Sequence, residues 1–169
     1  GLPKTALMDA EGTLRLGWWN GNEKMKRKRI DVKLPDQKTE SSIVMLESIL
    51  DIDQGIIIEG NLAIPEGNKT KGLYIKCAEN QGSAILVGAN GVTELGQIQP
   101  DGSGFTMEKR VDREMSFGKT AKFRLLLKHS LLEFYLDDIF IECFSLPTNA
   151  TGQIGLIGSA DIKNLQVWQ

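Results

Sequence analysis

The stretch "FRLLLKHSLLEFYLDDIFIECFSL", Phe123 to Leu146, gathers a histidine (His129), two glutamates (Glu133 and Glu142), an aspartate pair (Asp137 and Asp138) and a cysteine (Cys143). Two carboxyls on neighbouring strands are what glycoside hydrolysis requires, one as acid and one as base or nucleophile, about 5 to 10 Å apart. Glu133 and Glu142 are the pair to weigh, but their spacing forms no compact E-x-D-x-x-E run, and solvated strand positions are the expected role. His129 is the only histidine of the chain, which rules out a multi-histidine metal site and leaves a Ser-His-acid triad without partners. A turn residue is the expected role of His129, and no catalytic residue is assigned.

The elements that must position these groups are strands. Alternation puts Phe123, Leu125 and Leu127 on one face and Lys122, Arg124 and Leu126 on the other. It resumes with Leu132, Phe134 and Leu136 opposite Leu131, Glu133 and Tyr135. "HS" and "DD" fall where tight connections belong, so the stretch predicts a meander with one buried and one wet face. Short β-branched runs recur at Ser42–Ile52, Gly55–Ile64, Gly72–Cys77, Ser83–Gly88, Val92–Ile98, Gly152–Gly158 and Asp161–Trp168. The connections "ENQG", "GANG", "PDGSG" and "TNATG" are turn chemistry, supplied from 18 glycines. No longer segment keeps a helical period. The expected fold is all-β, a two-sheet antiparallel β-sandwich of the jelly-roll kind. Residues 1–34 differ, with strand signals only near Thr13–Trp18 and Ile30–Leu34, and are expected to be a linker or arm packing on a sandwich formed by residues 35–169.

Composition narrows the partners. The 169 residues carry a net charge of -2, with a sequence pI near 5.5, so nothing global draws the chain to nucleic acid or an anionic membrane. One basic run, "EKMKRKR" from Glu23 to Arg29, holds five cations and is expected to be a solvated edge or a contact with an acidic neighbour. No metal site is expected. Calcium is the one cation the pattern admits, through the turn residues Asp51, Asp53, Asp101, Asp137 and Asp138, yet no D-x-D-x-D-G loop is present. Cys77 and Cys143 belong to no metal spacing. They could form a disulfide or stand free as small strand hydrophobes, and the second is preferred.

The motif "GWWNGN", Gly17 to Asn22, offers a different chemistry. An indole face stacks on the apolar face of a sugar ring, and asparagine amides bond its hydroxyls. Adjacent strand residues point to opposite faces, so one of Trp18 and Trp19 can stack on sugar only if the other is buried. The competing role is an anchor that plugs the arm onto the sandwich or a neighbouring domain. A carbohydrate site built from Trp18, Trp19, Asn20, Asn22 and Tyr74, with Asp101 as a further polar loop residue, is therefore the binding alternative. Trp168, at the end of the last predicted strand, is expected to close the core.

Arm and meander together resemble the C-terminal β-sandwich of glycoside hydrolase family 32, the invertases, levanases and inulinases. "LPKTALMDAEGTLRL" is similar to that family's linker, with its L-P-R-E-like start and D-G-R-L-like turn. "FRLLLKHSLLEFYLDD" is similar to its sandwich signature, roughly L-x-V-x-x-D-H-S-x-V-E-x-F-x-N-x-G, with His129, Ser130, Glu133 and Tyr135 at the His, Ser, Glu and Phe. Lys128 stands where the family has Asp, Asp137-Asp138 replace its Asn-x-Gly turn, and "EFYLDDIFIECF" also resembles strand pairs of laminin-G-like and other concanavalin A-like jelly rolls. The family's propeller motifs W-M-N-D-P-N-G and R-D-P are absent, and Glu142-Cys143 falls in the meander. The resemblance implies a non-catalytic module that packs on the catalytic propeller of the same polypeptide, stabilises it and assists binding of fructan-type carbohydrate. It also implies a periplasmic or secreted location. The alternatives are a lectin-like module in its own right and an independent jelly-roll glycosidase.

Overall fold

The computed structural model describes residues 1–33, 42–112, 115 and 117–169. Its strands run β1 (Lys4–Met8), β2 (Leu14–Trp18), β3 (Arg29–Ile30), β4 (Ile43–Met45), β5 (Ile56–Ala63), β6 (Lys71–Ala78) and β7 (Gln81–Val87). They continue as β8 (Thr93–Ile98), β9 (Thr106–Val111), β10 (Thr120–Lys128), β11 (Leu131–Leu136), β12 (Ile139–Ser145), β13 (Ile154–Ile157) and β14 (Ile162–Trp168). They build an eight-stranded sheet, in the order β1-β2-β12-β11-β10-β5-β14-β3, and a six-stranded sheet, β4-β13-β6-β7-β8-β9. Every pairing is antiparallel.

The predicted meander is β10, β11 and β12. His129 (φ 53°) opens the first turn, and Asp137 and Asp138 (φ 46° and 61°) make the second, the left-handed geometry that tight hairpins need and that aspartate tolerates. Period-two alternation sends Ile56, Ile58 and Leu62 of β5 and Phe123, Leu125 and Leu127 of β10 between the sheets. There they meet Leu73, Ile75, Ile85, Val87 and Leu95 of the facing sheet in one apolar core. Cys77, buried, and Cys143, exposed, are free thiols on different sheets.

Three expectations change. Of the predicted strand Ser42–Ile52 only Ile43–Met45 is extended. Leu46, Leu50 and Ile52 follow as irregular chain whose side chains still enter the core. β1 and β9 carry too little apolar alternation to announce themselves, and in β9 only Val111 is buried. Trp168 sits on the outward face of the eight-stranded sheet rather than between the sheets, because its register partner Ile57 points outward. The boundary expected at residues 34 and 35, with the end of the strand signal at Leu34, lies outside the described residues.

Leu125 has 0% exposure at the centre of the core. Leu125→Ala is expected to cost about 2–5 kcal/mol through lost transfer energy and the cavity left behind, measured as a lowered urea midpoint with unchanged slope.

Candidate functional site

The outward face of the eight-stranded sheet is where unusual chemistry collects, and residues 1–26 lie across part of it. β1 and β2 form a hairpin that joins the sheet through the Gly17–Ile139 register and a hydrogen bond from the Trp18 N–H to the Asp138 carbonyl (2.8 Å). A 3-10 turn, Asn20–Met25, then follows. Its Asn22 is buried, and the Asn22 Nδ2 donates to the Pro3 carbonyl (2.9 Å), tying the turn to the start of the arm.

Beneath Trp18 and the 3-10 turn, outward positions on two adjacent interior strands carry opposite charges. Arg124 of β10 and Glu59 of β5 are register partners, only 2% and 7% exposed. Two such groups out of water are tolerated only when paired and bonded throughout. Arg124 Nε donates to Glu59, Nη1 to Asp138 Oδ1 (2.7 Å) and Nη2 to Glu23 Oε1 (3.4 Å). Its guanidinium carbon stands 3.8 Å from the centre of the Trp18 ring, a cation–π contact. Lys26 Nζ bridges Glu59 Oε2 (2.8 Å) and Glu23 Oε2 (2.7 Å), and the Trp18 Nε1 donates to Glu23 Oε1 (2.7 Å). Burial pushes the Glu59 carboxyl up, but the bonds and charges of Lys26 and Arg124 outweigh it and leave its pKa below the ordinary value; Glu23 follows the same balance with Lys26 and Trp18.

A second clamp lies on the neighbouring strand, β11. Glu133 is 3% exposed, not solvated as its alternation suggests, because the chain's first residues cover it. Its Oε1 accepts from the Leu2 N–H (2.9 Å) and Lys4 Nζ (3.2 Å), and its Oε2 accepts from the Tyr135 hydroxyl (2.7 Å). Tyr135 is fully buried, edge-on to Trp18 and Phe140 with centroids 5.5 Å away in each case; burial, then the bond to Glu133, raises its pKa. Lys4 Nζ also stands 4.4 Å from the Phe140 ring centre.

Beside these clamps a groove of about 700 Å³ opens, floored by Ile57, Leu126 and Trp168 and bounded by Leu2 and Met25, with Lys128 at its rim. The Trp168 Nε1 is buried without a hydrogen-bond partner among the described residues. This is an apolar surface with a polar border, suited to contact rather than to proton transfer.

The other sequence candidates fall in separate places. Glu142 is a register partner of Phe134, a core residue, whereas Glu133 is paired with Cys143. The two carboxyls therefore leave opposite faces of the sheet, and Glu142 pairs instead with Lys109 of β9 (3.4 Å). That geometry disqualifies them as a glycosidase pair. His129 is an exposed turn residue whose Nδ1 lies 3.1 Å from Asp53 Oδ1. The turn aspartates serve their own loops: Asp51 accepts from the Asp53 N–H, Asp101 from the Ser103 N–H and Asp137 from the Lys122 N–H. Among the described residues no three His, Cys, Asp or Glu side chains gather as a metal site would require.

The predicted aromatic set is likewise divided. Trp18 is 5% exposed over Arg124, and Tyr74 is 1% exposed on the outward face of the six-stranded sheet, where its ring covers Gly82 so closely that a Cβ there would sit 2.2 Å from it. Neither offers a ring face to a ligand. Trp19 is 48% exposed beside exposed Asn20, its ring laid on Gly21, where a side chain would collide at 2.3 Å. The motif thus divides as strand geometry requires, one tryptophan buried and one open. Glu59, Arg124, Lys26 and Glu23 were not anticipated as one cluster. The usable signal was a lone acid in "GIIIEGNLAI" and a lone base in "FRLLL", each inside an apolar run where a charge must find a partner.

No protein-family model and no curated protein sequence matches the chain. Among solved structures it is similar to the galectin LEC-6 from Caenorhabditis elegans, with TM-score 0.55 at 10% identity over 81% of this chain and 94% of that one. It is similar to the carbohydrate binding module CBM66 from Bacillus subtilis, with TM-score 0.52 at 12% identity over 83% and 89%. It is also similar to the fructosyltransferase from A. japonicus, with TM-score 0.57 at 10% identity, where 100% of this chain spans 32% of that one. These likenesses define the class: a concanavalin A-like β-sandwich of the jelly-roll kind.

Removing one side of the buried cluster leaves a charge without its partner. Arg124→Ala is expected to destabilise by about 3–5 kcal/mol, more than the apolar replacement Arg124→Met, as read by chemical denaturation. The depressed pKa of Glu59 and Glu23 means they bind protons more readily unfolded than folded, so their contribution is present above the ordinary glutamate value of 4.5 and is lost as pH falls through the folded values. Acidification below that value is expected to release the arm, seen as a red shift of tryptophan emission that Glu59→Gln weakens.

Proposed function

We propose that the chain is a non-catalytic β-sandwich module of a family 32-like glycoside hydrolase acting on fructose-containing glycans, packing against the catalytic propeller and stabilising it. The observation that supports this most is the extent of the likeness to the fructosyltransferase. There the arm and sandwich together are covered, 100% of the chain, whereas galectin LEC-6 and CBM66 cover 81% and 83% of it. An arm clamped by Glu133 and Glu59 would travel with its sandwich as one piece. The apolar groove beside the clamps offers the kind of surface a neighbouring domain covers. The His129-Ser130 hairpin between β10 and β11, with Glu133 and Tyr135 after it, is the segment whose sequence resembles the family signature. On this reading the protein works in the periplasm or outside the cell.

The isolated chain is expected to release no fructose from sucrose or levan. Turnover that co-purifies with the protein would overturn the non-catalytic assignment, and so would its loss on substituting any single acid.

A second reading, direct carbohydrate binding, is favoured by Trp19. Its indole rests on Gly21 and is 48% exposed, with Asn20 adjacent, which is the arrangement a stacked sugar ring uses. In affinity electrophoresis through levan or inulin, Trp19→Ala is expected to abolish the retardation of the native chain while leaving its thermal midpoint within a few degrees. Equal mobility of the two proteins would remove this site.

A further inference from the structure

A second hollow, about 450 Å³, lies on the outward face of the eight-stranded sheet at the end of β5 away from the apolar groove. Its floor is one cross-strand row: Lys122 of β10, Asn61 of β5 and Lys163 of β14 are direct register partners. The next row begins with Thr120 opposite Ala63, whose methyl group leaves the floor low. Asp137, from the β11–β12 turn, and Asp161 and Asn164, at the start of β14, also line it.

The hydrogen-bonding state of these groups shows which of them a ligand could engage. The two carboxylates are already engaged, Asp137 by the Lys122 N–H (2.7 Å) and Asp161 by Lys71 Nζ (2.8 Å). Lys122 Nζ reaches Glu59 and Asp138 only at 3.9 and 3.8 Å. Among the described residues the side chains of Asn61, Thr120, Lys163 and Asn164 have no protein partner; Asn61 is half-buried on an interior strand and the other three are exposed. Thr120, Lys163 and Asn164 are exposed and bond to water, which a ligand hydroxyl can replace, and half-buried Asn61 is the most constrained of the four.

The inventory selects the ligand class. Lys122 and Lys163 balance Asp137 and Asp161, so the lining is neutral in sum and has no preference for a phosphate. A hard cation would need clustered acids, and no such cluster exists among the described residues. Amides, a hydroxyl and ammoniums together suit groups that both donate and accept. No aromatic ring lines the hollow, so recognition runs through edges rather than stacking. We infer that this hollow is a subsite for one ring of a neutral glycan, held through neighbouring hydroxyls by Asn61, Lys163 and Asn164, with Thr120 and Lys122 completing the ring of donors. The inference rests on the carbohydrate reading above but places the contact some strands away from Trp19. With few desolvated contacts the affinity is millimolar.

The test is a ¹H–¹⁵N titration of the whole chain with fructose, sucrose and levan-derived oligosaccharides up to tens of millimolar. Saturable shifts of the Asn61, Lys122, Lys163 and Asn164 amides are expected. Asn61→Ala and Lys163→Ala, both at positions outside the core, should each weaken binding about tenfold while leaving the spectrum of the free protein otherwise in place. Shifts confined to Trp19 and Asn20, with affinity unchanged in Asn61→Ala, would overturn this subsite and leave the carbohydrate reading standing. No shift with any of the sugars would overturn both. Inorganic phosphate perturbing the same amides more strongly than the sugars would overturn the neutral-glycan class.

Discussion

Arg124 and Glu59 face each other across β10 and β5, adjacent interior strands of the larger sheet, on the side where the core is not. Putting a guanidinium and a carboxylate there costs desolvation energy that their mutual attraction only partly offsets. The remainder must come from further partners, and those partners are on the arm: Glu23, Lys26 and the face of Trp18. The pair therefore dictates that residues 18–26 lie where they do. A sandwich without the arm would leave two charges on a half-dry sheet surface, and an arm without the pair would lose the partners of Glu23, Lys26 and the Trp18 ring.

That constraint organises the rest of the outward face. With Trp18 drawn down onto Arg124, Tyr135 and Phe140 pack edge-on around it, and Tyr135 directs its hydroxyl to Glu133. Glu133 in turn receives the backbone of Leu2 and the ammonium of Lys4, so the two ends of the arm are held by two different carboxylates. The covered strip separates an apolar groove at one end of β5 from a polar hollow at the other. One face thus carries two surfaces of opposite character, a division that a single uncovered sheet of alternating residues would not produce.

Most of the fold was legible because period-two burial is a local property. β5 to β8 and β10 to β12 announce themselves through β-branched alternation and turn residues, and the Asp137-Asp138 turn was placed correctly from two letters. β9 was not legible, since an edge strand with five of its six residues exposed has no burial pattern to show. The candidate site was legible only in part. Alternation assigned Arg124, Glu133 and Tyr135 correctly to one face but described that face as wet. What covers a face is decided by segments more than one hundred residues away, as with Leu2 and Glu133, whose separation is 131. Lone charges inside apolar runs were the trace of that cover. The split between Trp18 and Trp19 followed from strand geometry, whereas the burial of Tyr74 against Gly82 depended on a neighbouring strand.

β9 itself has a bearing on how such a module behaves in company. It is the outermost strand of the smaller sheet, and its exposed row Glu108, Lys109, Arg110 is tied down by Gln97, Glu142 and Glu94. An open edge of alternating sign, already committed to partners within the molecule, is a poor template for a strand from a second molecule. The same tethers join the two sheets at their rim through Lys109 and Glu142. A long antiparallel sheet can in this way end in solvent at high local concentration without recruiting its neighbours into a continuous ribbon.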